Sequence, residues 1–260
     1  MKLKTYIINL EKSTVRRDYM TDLLSPYGFM DVTFIKAVDG RLMTQEERNQ
    51  RFDYKGCMKR YGREMNAGEV GCLMSHRKAY DTILREHHSY ALILEDDVAP
   101  VRSLDELDMD AVESLMNTDI PQVLMLSGDY WYYRRKPIGR LFAAVGAYGY
   151  IINAAAAEMI LSIDKPCNVA DDWAYYKRRG LKMYAVCPYM LDANVNMEVL
   201  PSDVKQDSWG INRKKMSVFE VITGYLTGAV KKYMKATGHF EYKTNIYQNK
   251  IAPKKTNPFK

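Results

Sequence analysis

Apolar residues in this chain fall into short unbroken runs, and most polar residues collect between them. TYIINL (5–10) is apolar at successive positions until Asn9, which predicts a first strand buried on both faces. VTFIKAV (32–38), YALILE (90–95), QVLMLS (122–127) and KMYAVCP (182–188) predict further strands. AAVGAYGYIINAAAAEMILSI (143–163) predicts a strand running into a helix. Helix starts lie between these runs. Ser13 is placed to cap a helix to Leu24, which SPYGF (25–29) ends. Thr44 with Glu47 spells a capping box for a short helix. Asn66 with Glu69 opens a longer helix to Arg85, with Val70, Met74 and Ile83 facing inward. Further helices are expected over 104–116 and in DDWAYYKRRG (171–180). RFDYKGCMKRYGRE (51–64) reads as a basic surface loop, and GDYWYYRRKPIGR (128–140) as a long aromatic and basic loop. Strands alternating with helices from residue 4 to about 190 predict an α/β fold with a mostly parallel central sheet flanked by helices.

Charge divides the chain. The net charge is +6, yet residues 201–260 hold 12 Lys or Arg against 4 Asp or Glu, which leaves the first 200 residues slightly acidic. The expected organisation is a main domain over 1–200 and a basic, partly helical extension over 201–260. In SVFEVITGYLTGAVKKYMK (217–235), Val218, Ile222, Tyr225, Ala229 and Tyr233 recur near helical spacing, followed by Lys231, Lys232 and Lys235. Such a stretch suits an anionic membrane surface or a packed helix, although Gly224 and Gly228 weaken it. KIAPKKTNPFK (250–260) is expected to be disordered. The opening MKLKTYIINLEKS is too quickly interrupted to read as a signal peptide, and no run reaches the ~20 apolar residues of a membrane span. The expected location is the cytoplasm, peripheral on the inner face of the cytoplasmic membrane. Cys57, Cys72, Cys167 and Cys187 form no C-x-x-C pair, so reduced thiols are expected rather than a zinc knuckle. The four histidines, His76, His87, His88 and His239, suggest no metal site from their spacing. No nucleic-acid-binding motif is present in the basic tail, so nucleic acid is not an expected partner.

The third strand ends in three consecutive carboxylates, Glu95, Asp96 and Asp97. Ligands of open α/β sheets bind beyond the carboxyl ends of strands. Adjacent carboxylates repel, and burying them costs several kcal/mol unless a cation offsets it. A divalent ion with oxygen-only ligands, Mn²⁺ or Mg²⁺, is the natural partner, usually together with a substrate diphosphate. An exposed acidic turn is the plainer alternative.

IINLEKSTVRR, AVDG, NAGEVGCLMSHRKAY, ALILEDDV and GAYGYIINAAAA occur in this order over residues 4–200. Together they resemble glycosyltransferase family 25, the lipopolysaccharide and lipooligosaccharide galactosyltransferase-like family. The resemblance implies a GT-A-like fold and a bacterial enzyme. It implies transfer of a hexose from a UDP-sugar donor, UDP-galactose first, to a glycan or glycolipid acceptor, with inversion. EDD then stands where such folds carry D-x-D, the third acid replacing a spacer. Asp97 and Glu95 are expected on the metal, and Asp96 on the sugar or ribose. Asn9 and Leu10 end the first strand where the base would lie. Arg16 is in reach of a phosphate or the base, and Asp39 of the uracil or ribose. Ser75 and Lys78, three apart on one helical face, are in reach of donor phosphates or the acidic loop. Ser75 lacks a G-x-S-x-G elbow and is not read as a nucleophile. Asp171 and Asp172 are the candidates for the general base, with helix capping as the plain alternative. Tyr130 and Trp131, with Tyr132 and Tyr133, offer aromatic faces for an acceptor sugar, and Asp129 is a weaker acid nearby. The rival readings are a nucleotidyltransferase, which the absence of glycine from NLEKSTVRR disfavours, and a non-catalytic nucleotide- or glycan-binding module.

Overall fold

The computed structural model describes residues 2–193 and 218–241, with the side chains of the extension described from Leu226 onward. The strands are β1 (Leu3–Asn9), β2 (Met30–Lys36), β3 (Tyr90–Glu95), β4 (Val98–Pro100), β5 (Gln122–Met125), β6 (Tyr130–Tyr132), β7 (Ile138–Ala144), β8 (Gly149–Asn153), β9 (Lys182–Val186), β10 (Leu191–Ala193) and β11 (Phe240–Glu241). The helices are α1 (Thr14–Leu24), α2 (Gln45–Arg51), α3 (Tyr54–Tyr61), α4 (Ala67–Arg85), α5 (Met109–Met116), α6 (Ala154–Leu161), α7 (Trp173–Lys177) and α8 (Val218–Ala236). The capping boxes at Thr44 and Asn66 both form. Ser13 stands at the N-cap of α1 without a side-chain cap bond. The boundary expected at residue 200 and the tail 250–260 lie outside the described residues.

The main sheet runs β11-β6-β7-β9-β5-β8-β3-β1-β2. β2, β1 and β3 are parallel neighbours, as are β5 and β9. β8 lies antiparallel between β3 and β5, which makes the sheet mixed. β4 and β10 form a separate two-stranded antiparallel sheet. The chain passes from β1 out to β2, then returns over β1 to β3 on its other side. Strand order therefore reverses at β1, and the carboxyl ends of β1 and β3 flank a topological switch point, the place where open α/β sheets bind ligands.

Pleating explains the unbroken apolar runs. In β1, Tyr6 and Ile8 join a core under α4 and α6, whereas Leu3 and Ile7 join the core under α1 and α5. In β3, Ala91 and Ile93 face the first layer, and Leu92 and Leu94 the second. A third, smaller cluster holds Phe52 and Cys57 against Val70 and Leu73 at the start of α4.

Two segments expected as loops are ordered elements. Residues 54–61 form α3, capped by Asp53 and ended by left-handed Gly62. Its single buried side chain, Cys57, gives no periodic signal. Residues 130–144 supply β6 and β7, with Tyr130 and Tyr132 buried. Among the described residues, no helix is long and apolar enough to cross a membrane.

Candidate active site

The switch point opens into a cavity of about 460 Å³, bounded by the ends of β1 and β3, residues 37–41 after β2, and the first half of α4. Its wall depends on two glycines. A Cβ on Gly40 would meet the Ala67 carbonyl oxygen at 2.0 Å, and one on Gly71 would meet the Val38 carbonyl oxygen at 2.6 Å. The segment after β2 thus lies backbone to backbone against α4, closer than any side chain permits. Ser75 pins the same contact: its hydroxyl accepts from the Val38 amide (2.8 Å) and donates to the Gly71 carbonyl (2.6 Å).

Strand alternation separates the three acids. Glu95 continues the α4-facing set of β3, and its Oε1 lies 3.4 Å from His76 Nε2. Asp96 turns the other way, accepting from Asn9 Nδ2 (2.7 Å) and Arg16 Nη1 (2.6 Å), so β1, α1 and β3 are tied at one carboxylate. Burial raises its pKa, against the pull of Arg16 and Asn9. Asp97 lies in the turn after β3. One of its oxygens is 3.4 Å from Arg16 Nη1, and Oδ1 is buried with no hydrogen-bond partner. Burial, then the charge of Glu95, pushes its pKa up to about 7. An unpartnered buried carboxylate oxygen beside two further acids suits a divalent cation.

The two candidate bases have different surroundings. Asp172 caps α7 through the Tyr175 amide (3.1 Å) and accepts from Arg60 Nη2 (2.7 Å), Arg60 Nε and the Tyr61 hydroxyl. Burial alone would raise its pKa, but Arg60 and Tyr61 outweigh burial and hold it below the ordinary range. Asp171 accepts one 3.2 Å bond from the Gly146 amide. Its pKa is raised by burial and, further, by Glu95 and Asp172. Beyond burial, its charge also raises the pKa values of Cys72 and Tyr148, as the charges of Glu95 and Asp97 do.

Leu10, Arg16, Asp39, Ser75 and all three acids line the cavity, and Asn9 supports them through Asp96. Asp39 is held by Arg41 (2.7 and 2.8 Å) and Lys12 (3.1 Å), which lower its pKa strongly. The remaining residues lie elsewhere. Lys78 is exposed and donates to the Lys36 carbonyl at the end of β2 (2.9 Å). Tyr130 is wholly buried, and its hydroxyl donates to the Val186 carbonyl. The Trp131 ring packs on Phe240, with centroids 4.6 Å apart, beneath Lys231 Nζ at 4.2 Å. β6 is five strands from β3 in the sheet, so these aromatics do not open on the cavity. Sequence reasoning passed over Arg60 and Tyr61, hidden in a supposed loop, and Cys72 and His76, whose i, i+4 spacing puts them on the cavity face of α4.

A β-α-β switch point with a carboxylate cluster at its mouth is the ligand site of an open α/β protein, and comparison makes this specific. Residues 2–175 match the family model described as glycosyltransferase family 25 (LPS biosynthesis protein), and the chain belongs to that family. It is 32% identical over 96 residues to a glycosyltransferase 25 family member of Aedes aegypti, covering 36% of this chain and 16% of the relative. It is 23% identical over 214 residues to procollagen galactosyltransferase 2 of Homo sapiens, covering 72% of this chain and 34% of the relative. The chain therefore spans well under two thirds of these relatives. Among solved structures, A197 from STIV aligns with TM-score 0.41 and 15% identity, covering 72% of this chain and 82% of that one. UTP-bound UGPase from Acinetobacter baumannii aligns with TM-score 0.40 and 10% identity, covering 72% and 86%.

Proposed function

We propose that this chain is a metal-dependent, inverting hexosyltransferase that takes galactose from UDP-galactose and places it on a bacterial surface glycan or glycolipid such as lipopolysaccharide. The observation that carries the reading is the orphaned Oδ1 of Asp97, buried among acids at the mouth of the switch-point cavity. Asp97 and Glu95 would hold Mn²⁺ or Mg²⁺. That ion, when bound, neutralises the diphosphate leaving group. Leu10 and the residues at 37–41 bound the cavity at the end of β1, where the nucleoside would lie. Arg16 and Asn9 keep Asp96 fixed, so Asp96 serves the site by joining α1 to the acidic strand rather than by offering a free oxygen to the sugar.

Asp171 is the general base in this reading. A base must be free to accept a proton, and a raised carboxyl pKa brings it nearer working pH. Asp172 is already saturated with donors and anchors α7 instead. The α8 extension would bring the enzyme to an anionic membrane on the cytoplasmic side, where a lipid-linked acceptor is presented.

The test is UDP release from a panel of UDP-sugars with Mn²⁺, then with EDTA, for wild type, Asp97→Ala and Asp171→Asn. The expected result is release from one donor, abolished by EDTA and by Asp97→Ala. With an acceptor present, Asp171→Asn should be slowed ~10²–10⁴-fold. Donor turnover that persists in EDTA and in Asp97→Ala would rule out the metal reading.

A further inference from the structure

We propose that Cys72, His76 and Glu95 form a binding site for a zinc-class transition metal in the wall of this cavity, chemically distinct from the oxygen-ligand cation assigned to Asp97. One ligand atom from each residue lies within 4.8 Å of the others. Their elements hold them there for reasons visible in the chain. Cys72 and His76 are four apart on α4, so they project from one face of the helix. Glu95 reaches that face because strand alternation turns it toward α4.

His76 is oriented as metal-bound histidines are. Its Nδ1 is 2.6 Å from the Tyr150 hydroxyl, which is itself 2.5 Å from the Tyr80 hydroxyl. The ring is wholly buried, and a hydroxyl on the far nitrogen fixes it with Nε2 toward Glu95. Tetrahedral ligands about 2.0–2.1 Å from zinc stand ~3.3 Å apart. His76 Nε2 and Glu95 Oε1 are 3.4 Å apart. The Cys72 sulfur lies within 4.8 Å of both, so it needs to close by at most ~1.3 Å to reach the ~3.5 Å of a tetrahedral sulfur–nitrogen pair. All three residues line the cavity, so a fourth position would open to it, the arrangement of a reactive or exchangeable zinc site rather than a closed structural one.

Softness favours the same class of ion. Binding of a dication by Cys72 would displace the thiol proton to solvent. Thiolate with imidazole selects zinc or cobalt over magnesium and manganese. Glu95 belongs to both sites. Zinc on Cys72 and His76 would withdraw Glu95 from the oxygen-ligand cation, so the two ions would oppose each other; this last consequence alone rests on the function proposed above.

The test is titration of Co²⁺ into the reduced, metal-free full chain. The expected result is a near-ultraviolet thiolate-to-cobalt charge-transfer band that saturates at one ion per chain. Zn²⁺ should remove the band and excess Mg²⁺ should not. Cys72→Ser should abolish it and Cys187→Ser should retain it, with thermal melting to verify that both fold. In the unaltered chain, Zn²⁺ should slow alkylation of Cys72 by about tenfold or more, since the thiolate is the nucleophile and the metal occupies it. Absence of the band in wild type, its survival in Cys72→Ser, or alkylation indifferent to Zn²⁺ would each overturn the proposal. None of these readouts depends on turnover, so they stand apart from the glycosyltransferase assay.

Discussion

Asp97 carries, at a single residue, a folding cost that the proposed cation would relieve. Its carboxyl, raised to about 7, keeps a proton in the folded chain that the unfolded chain releases. Folding stability attributable to this group therefore falls as pH climbs from about 4 to about 7, and is level above. At about 1.4 kcal/mol per pH unit, the ceiling on the penalty is ~4 kcal/mol, and local relaxation of this buried group brings the expected value to ~1–3 kcal/mol. Asp97→Asn should then raise the melting temperature by several degrees at pH 8 and by little at pH 4. Mn²⁺ should stabilise the wild type, and the same variant should lose that stabilisation. Equal melting temperatures for the two proteins at pH 8 would show that Asp97 is not desolvated as described. Much of this was legible in the chain. An apolar strand running into EDD announces charges at a sheet edge, and period-two alternation announces that they diverge. The partner of each acid was not legible, because Arg16 is 80 residues away from Asp96 and His76 is 19 residues away from Glu95.

At the scale of elements, the cavity depends on contacts that propensity alone would misjudge. Gly71 sits inside α4, where Gly→Ala ordinarily stabilises by about 1 kcal/mol. Here the added methyl would meet backbone atoms, the Val38 carbonyl at 2.6 Å and the Gly40 amide at 2.8 Å, which cannot rotate away. Gly71→Ala should instead destabilise by ~1–3 kcal/mol, the range for overpacking, and should weaken UDP binding measured by calorimetry. A gain in stability would mean that residues 38–40 move freely from α4. The second contact is α3 against α7. Removing Arg60 leaves Asp172 largely buried without its main cation, a change that costs ~3–5 kcal/mol in fully buried pairs. Arg60 keeps 22% of its side-chain surface, so Arg60→Ala should cost ~2–4 kcal/mol in urea unfolding at pH 7. Asp172 is held below its ordinary pKa. Its contribution is therefore present above about pH 4 and is lost as pH falls through the folded value, so wild type and Arg60→Ala should converge in acid. β1, β2, β3, β5, β8, β9, α1, α2 and α4 were legible from unbroken apolar runs and capping residues, whereas the short strands β4, β6, β10 and β11, and β7 within a supposed loop, were not. α3 was not, because eight residues with one buried side chain make no pattern, and its value lies in Arg60 and Tyr61 reaching a carboxylate more than 100 residues on.

At the scale of the whole molecule, a slightly acidic body carries a basic extension. β11 pairs with β6, the Tyr132 hydroxyl donates to the Gly238 carbonyl, and Met234 is buried, so the end of α8 is fixed to the sheet. The described part of this helix also has an exposed face. Leu226, Val230 and Tyr233, at i, i+4 and i+7, are 61%, 41% and 69% exposed, with the exposed Lys232 and Lys235 interleaved. Apolar residues between lysines match the boundary of an anionic bilayer, where each lysine contributes about 1 kcal/mol near the surface. The aromatic segment expected to grip an acceptor sugar helps here instead: Trp131 and Phe240 seat the helix, and Lys231 packs over Trp131. The protein should therefore co-sediment with vesicles containing phosphatidylglycerol, less so as salt is raised, and hardly at all with phosphatidylcholine alone. Replacing Leu226, Val230 and Tyr233 together by Ser should abolish sedimentation while leaving UDP release in solution intact, because α8 packs by β6, five strands along the sheet from β3 and the acidic cavity. Salt-insensitive binding, or self-association of the wild type that the triple variant loses, would assign this face to a second copy of the chain instead of a membrane.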